Sequence, residues 1–89
     1  MVRITERKLK MSSTKITQTM FYDQYGTKKF ALLNAGQTVE IDGVLEFDEY
    51  HFEDVYLCKV VNPSDESKNF GVREGMLVKV HEEYLDMQS

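Results

Sequence analysis

The sequence has no tryptophan, one cysteine (Cys58), one proline (Pro63), and no apolar run near the length that a membrane-spanning helix requires. Each absence removes a class of protein. A lone cysteine forms no internal disulfide, so a core and not a covalent framework must hold the fold. Cys58 sits inside VYLCKVV (55–61), and Lys59 beside it should point to the opposite face, so the thiol reads as a buried structural group and not as a nucleophile. The opening MVRITERKLK carries charges where a secretory signal needs apolar residues, so a cytoplasmic compartment and no membrane contact are expected. The five glycines are spread singly, which excludes a glycine-rich phosphate loop. The serines lie in segments that read as loops or termini, without a nearby histidine to activate them. No enzyme and no cofactor are expected.

What remains is a chain of 89 residues, 42% hydrophobic. That is one domain, because a chain this short buries only about 60–65% of its extended surface and cannot divide that burial between two cores. Residues 1–13 show no sustained period and read as a basic, flexible N-terminal arm; residues 14–89 read as the folded domain. From Lys15 the pattern alternates, with Ile16, Met20 and Tyr22 on one parity and Thr17, Thr19 and Phe21 on the other. DQYG (23–26) offers a turn before TKKFALL, which predicts a hairpin. The apolar run 55–61 predicts a central strand covered on both faces. NPSDESKNFG (62–71) reads as a solvated loop, MLVKV as a last strand, and HEEYLDM as one helical turn with Tyr84 and Leu85 capping an open end of the sheet. Short strands at roughly ten-residue spacing without an amphipathic helix predict an all-β fold: a small antiparallel barrel of five to six strands, SH3-like, with an OB-like barrel as the alternative.

The stretch DGVLEFDEYHF (42–52) resembles the second half of an EF-hand calcium loop, with Gly43 at the invariant glycine, Leu45 at the apolar position and Glu49 at the terminal carboxylate. The first half departs from that pattern: Thr38 and Glu40 stand where Asp or Asn is usual, and FALLNAGQ would have to form the entering helix. A hairpin with its loop at 42–44 leaves less unexplained. It places Val39, Ile41, Leu45 and Phe47 on one inward face, with Glu40 and Glu46 turned to water. His51 and His81 each neighbour carboxylates; they share a metal only if they meet in space, no Cys/His spacing indicates zinc, and the reading is of two solvated imidazoles with no metal.

Charge is divided along the chain. Residues 1–29 hold seven basic and two acidic side chains, and the remainder holds four basic and thirteen acidic ones. Glu40 to Tyr56 contains seven carboxylates, four aromatics and no Lys or Arg. Glu46, Asp48, Glu49, Tyr50, Phe52, Glu53 and Asp54 are therefore the expected contacts for a protein partner with a basic surface, the aromatics anchoring and the carboxylates steering. The expected function is a non-enzymatic interaction module, an adaptor or an inhibitor such as phage-encoded ones, in one form imitating nucleic-acid phosphate. The alternative is a barrel binding single-stranded nucleic acid through Arg3, Arg7, Lys8, Lys10, Lys15, Lys28 and Lys29, with Phe21, Tyr22 and Tyr25 stacking on bases.

Overall fold

Alternating, β-branched segments need partners for their backbone amides, and here every strand finds them in one sheet. The computed structural model describes residues 13–86. Six strands, β1 (Ser13–Lys15), β2 (Met20–Gln24), β3 (Phe30–Leu33), β4 (Thr38–Asp48), β5 (Glu53–Val60) and β6 (Leu77–His81), form an antiparallel sheet in the order β1-β4-β5-β6-β2-β3. The sheet curls into a half-barrel, the expected small all-β architecture. Its principal core joins Ile16, Leu33, Val39, Cys58, Val60, Val78 and Val80, each essentially removed from water. Burial of each such aliphatic side chain stabilises the fold by about 1.5–3 kcal/mol. Burial also pushes the Cys58 thiol up to about 12, which suits the structural role expected of it.

The β2–β3 hairpin turns where DQYG predicts, with Gly26 at φ 81, a left-handed value that glycine adopts without penalty. At the far end a single 3-10 turn, Glu82–Tyr84, follows β6, and Tyr84 meets the Tyr22 ring edge-on at 6.0 Å. Leu85 is buried against the core and bridges to Ile16, so the tail caps the sheet as expected. Among the described residues no helix is long and apolar enough to cross a membrane.

Two expectations fail. Asp42–Val44 is not a loop: β4 runs through it for 11 residues, with register shifts between Ile41 and Gly43 and between Val44 and Glu46. Each shift inserts one unpaired residue, and the second restores the facing that the first exchanges, so Phe47, paired with Asp54, keeps the side of Val39 and Ile41. Val39 and Ile41 pack inward, whereas Phe47 lies beyond the last residue of β6 and is 52% exposed. The strand through Gly43 also excludes the flanking helices of an EF-hand. The connector 62–71 is likewise no simple loop. It contains helix α1 (Asp65–Asn69), capped by Ser64, whose Oγ accepts the Ser67 N–H at 3.1 Å. Ser67 is fully buried and its Oγ donates to the Leu32 carbonyl at 2.6 Å, which ties the helix to β3. β1 starts at Ser13, the last residue of the expected arm, and residues 1–12 lie outside the described region.

Candidate functional site at the β4–β5 hairpin tip

β6 ends at His81, opposite Val55, so the last residues of β4 and the first of β5 extend past their neighbour and end in the four-residue loop Glu49, Tyr50, His51 and Phe52. Asp48 builds this loop. Its Oδ1 accepts the backbone N–H groups of Tyr50 (2.9 Å) and His51 (3.3 Å), an Asx-type turn that satisfies two donors the ladder leaves free. Phe52 then returns the chain to β5 with φ 54, a left-handed conformation uncommon for an aromatic residue. The loop displays Tyr50 at 95% exposure and Phe52 at 80%, while the Phe52 and Phe47 rings lie 6.1 Å apart.

All seven residues expected to contact a partner thus gather at one end of one hairpin. They divide by role. Glu46, Glu49, Tyr50 and Phe52 are open to solvent, whereas Asp48, Glu53 and Asp54 are partly covered. Glu53 accepts the Glu83 N–H on Oε1 (3.2 Å) and faces His81 Nδ1 with Oε2 (2.9 Å). The backbone N–H of Asp54 donates to Glu82 Oε1 at 3.4 Å. His51 Nδ1 lies 2.8 Å from Asp48 Oδ2, and this hydrogen bond holds the Asp48 carboxyl below its usual range and raises the His51 imidazole above its own. Among the described residues no Lys or Arg comes within ion-pair distance of a carboxylate; the contacts within that distance are those of the two histidines.

Phe47, expected to face inward, and Val44, expected in a loop, are both exposed: Phe47 lies past the end of β6, and Val44 stands between two bulges that carry β4 through 42–44. His51 and His81, read as two solvated imidazoles unless they met in space, do meet: their rings lie 6.2 Å apart at 90°. The juxtaposition arises from the β5–β6 register and leaves no local signal.

The basic alternative is only partly assembled. Tyr22 is 3% exposed, its hydroxyl donates to the Gln18 carbonyl, and burial pushes it up to about 12, so it does not stack on a base. Lys15 Nζ reaches Thr38 Oγ1 at 3.3 Å. Phe21 and Tyr25 are exposed, and Tyr25, Lys28, Lys29 and Lys79 line a shallow cleft of about 390 Å³ at the β2–β3 turn. Phe21 meets Phe70 edge-on at 5.7 Å. Arg3, Arg7, Lys8 and Lys10 lie outside the described residues. Compared with protein-family models, curated proteins and solved structures, the chain gives no significant match.

Proposed function

We propose that the protein is a non-enzymatic interaction module that binds a partner with a basic surface through the tip of the β4–β5 hairpin, as an adaptor or as an inhibitor that imitates an acidic ligand. One observation carries this reading: Tyr50 and Phe52 project almost wholly into solvent, on a loop built by Asp48, among carboxylates that no described Lys or Arg neutralises. Exposed aromatics supply area that a partner desolvates, and the surrounding carboxylates accelerate encounter with a cationic surface.

The roles within the tip select the variants. Asp48 and Glu53 hold backbone amides, so their reversal would disturb the loop itself. Y50A/F52A and E46K/E49K alter only exposed groups. Protein captured from the native host by the wild-type chain, then purified and titrated, should bind Y50A/F52A at least ~30-fold more weakly, since one hot-spot anchor is worth about 2 kcal/mol or more. E46K/E49K should slow association, and K28E/K29E should leave binding unchanged. Equal affinity of Y50A/F52A and wild type removes the proposal.

A second reading, single-stranded nucleic-acid binding, draws on exposed Phe21 and Phe70 and on the lysines of the β2–β3 turn. Gel shift at low salt separates the two: a complex lost in K28E/K29E and retained in Y50A/F52A favours nucleic acid.

A further inference from the structure

We infer that Asp48, Glu53 and His81 form a binding site for a divalent transition-metal ion of the zinc type, with His51 as a positioning residue. Asp48 and Glu53 are directly paired across β4 and β5, and His81 of β6 is paired with Val55, two residues along from Glu53. Directly paired residues share a face, and so do residues two apart, so the three side chains stand on one face at one end of the sheet. Their donor atoms all lie within 4.8 Å of one another. His81 Nδ1 is 2.9 Å from Glu53 Oε2 and 3.7 Å from Asp48 Oδ2. Two ligands of a tetrahedral ion with bonds of about 2.0–2.2 Å stand roughly 3.4 Å apart, so these separations bracket the required value.

The donors are also aimed. Glu53 Oε1 is held by the Glu83 amide and Asp48 Oδ1 by the amides of Tyr50 and His51, which leaves Oε2 and Oδ2 directed at the imidazoles. Outer hydrogen bonds of this kind fix carboxylate ligands in metal sites. Two histidines from different parts of the fold converge on the same Asp48 oxygen, at 2.8 Å for His51 and 3.7 Å for His81. One imidazole nitrogen with two carboxylate oxygens is a mixed N/O set, which suits zinc and its neighbours; calcium and magnesium favour oxygen alone. The ion would take the place of the proton between His81 Nδ1 and Glu53 Oε2, with the ring as its Nε2–H tautomer, and the fourth position would hold water. This inference concerns the inner residues of the hairpin and His81 of the neighbouring β6, and its test contains no partner protein.

The test is a zinc titration of the untagged full chain, followed by calorimetry and by long-range ¹H–¹⁵N spectra of the two histidine rings. One ion per chain at micromolar zinc is expected, with the larger ring shift at His81 Nδ1. H81A should abolish binding. D48N retains the carbonyl that receives the loop amides, so the fold survives, and it should weaken binding at least tenfold. H51A should weaken it about 10- to 100-fold, the usual effect of removing an outer-shell partner. Binding unchanged in H81A, an equal response to calcium, or histidine signals that do not move overturns the inference.

Discussion

Replacing Phe52 by glycine and by alanine separates the geometry of the hairpin tip from its binding surface. The left-handed conformation costs an L-residue about 1–2 kcal/mol, and a ring contact such as that with Phe47 returns about 0.5–1.5 kcal/mol. F52A keeps the unfavourable backbone and loses the ring contact, so it should lose about 0.5–1.5 kcal/mol of stability. F52G loses the same contact and about 0.5–1 kcal/mol to the freedom of the unfolded chain, but recovers the left-handed penalty. The glycine variant should therefore be more stable than the alanine variant by about 0.5–1 kcal/mol. With a urea dependence of about 1 kcal/mol per molar for a domain this small, the midpoints should differ by roughly 0.5–1 M in urea melts followed by circular dichroism. Both variants lack the ring, so both should lose partner affinity alike. An alanine variant as stable as the glycine one would refute the left-handed backbone at residue 52, and with it the manner in which Tyr50 and Phe52 are displayed.

Other expectations follow from the buried polar groups. S67A removes the donor to the Leu32 carbonyl, leaves a buried acceptor unpaired, and should cost about 1–3 kcal/mol, with a fall in Tm of about 4–8 °C per kcal/mol by calorimetry. The Cys58 thiol should react with a disulfide reagent at pH 8 only after unfolding in urea. Its folded pKa lies above the unfolded one, so the unfolded chain releases the proton first, and stability present below pH 9 is lost as pH rises towards 12. At ~1.4 kcal/mol per unit the loss reaches about 4 kcal/mol, and C58V should remove that part of the pH dependence. Tyr22, Tyr56 and Tyr84 are also raised and act with the same sign above pH 10, so the Cys58 contribution is read as the difference between C58V and wild type.

The sequence and the structure agree at several local signals. DQYG marks the β2–β3 turn, the apolar run around Cys58 marks a strand inside the sheet, and the acidic and aromatic residues of 46–54 fall together because they adjoin in the chain. They part where one residue changes the outcome. Asp42-Gly43 carries the strongest two-residue hairpin signal, yet the bulges on either side of Gly43 absorb it and β4 continues; period-two reading cannot register an inserted residue. For α1 the signal was present: Ser64 followed by Asp65 and Glu66 is a capped first turn, outweighed by the proline and the polar composition around it. The three-residue cluster at His81 draws on β4, β5 and β6, and no window of sequence contains it.

The bridge between Ile16 and Leu85 governs how the molecule is made. A chain emerging from the ribosome can close the β2–β3 hairpin early, but Ile16 stays open to water until residue 85 arrives, nearly the whole domain later. Pairing of such distant segments waits on a large loop-closure entropy, so refolding should proceed in milliseconds to seconds, with microseconds reserved for folds built from neighbours. During that interval the uncovered β1 and β4 are the surfaces a chaperone would meet.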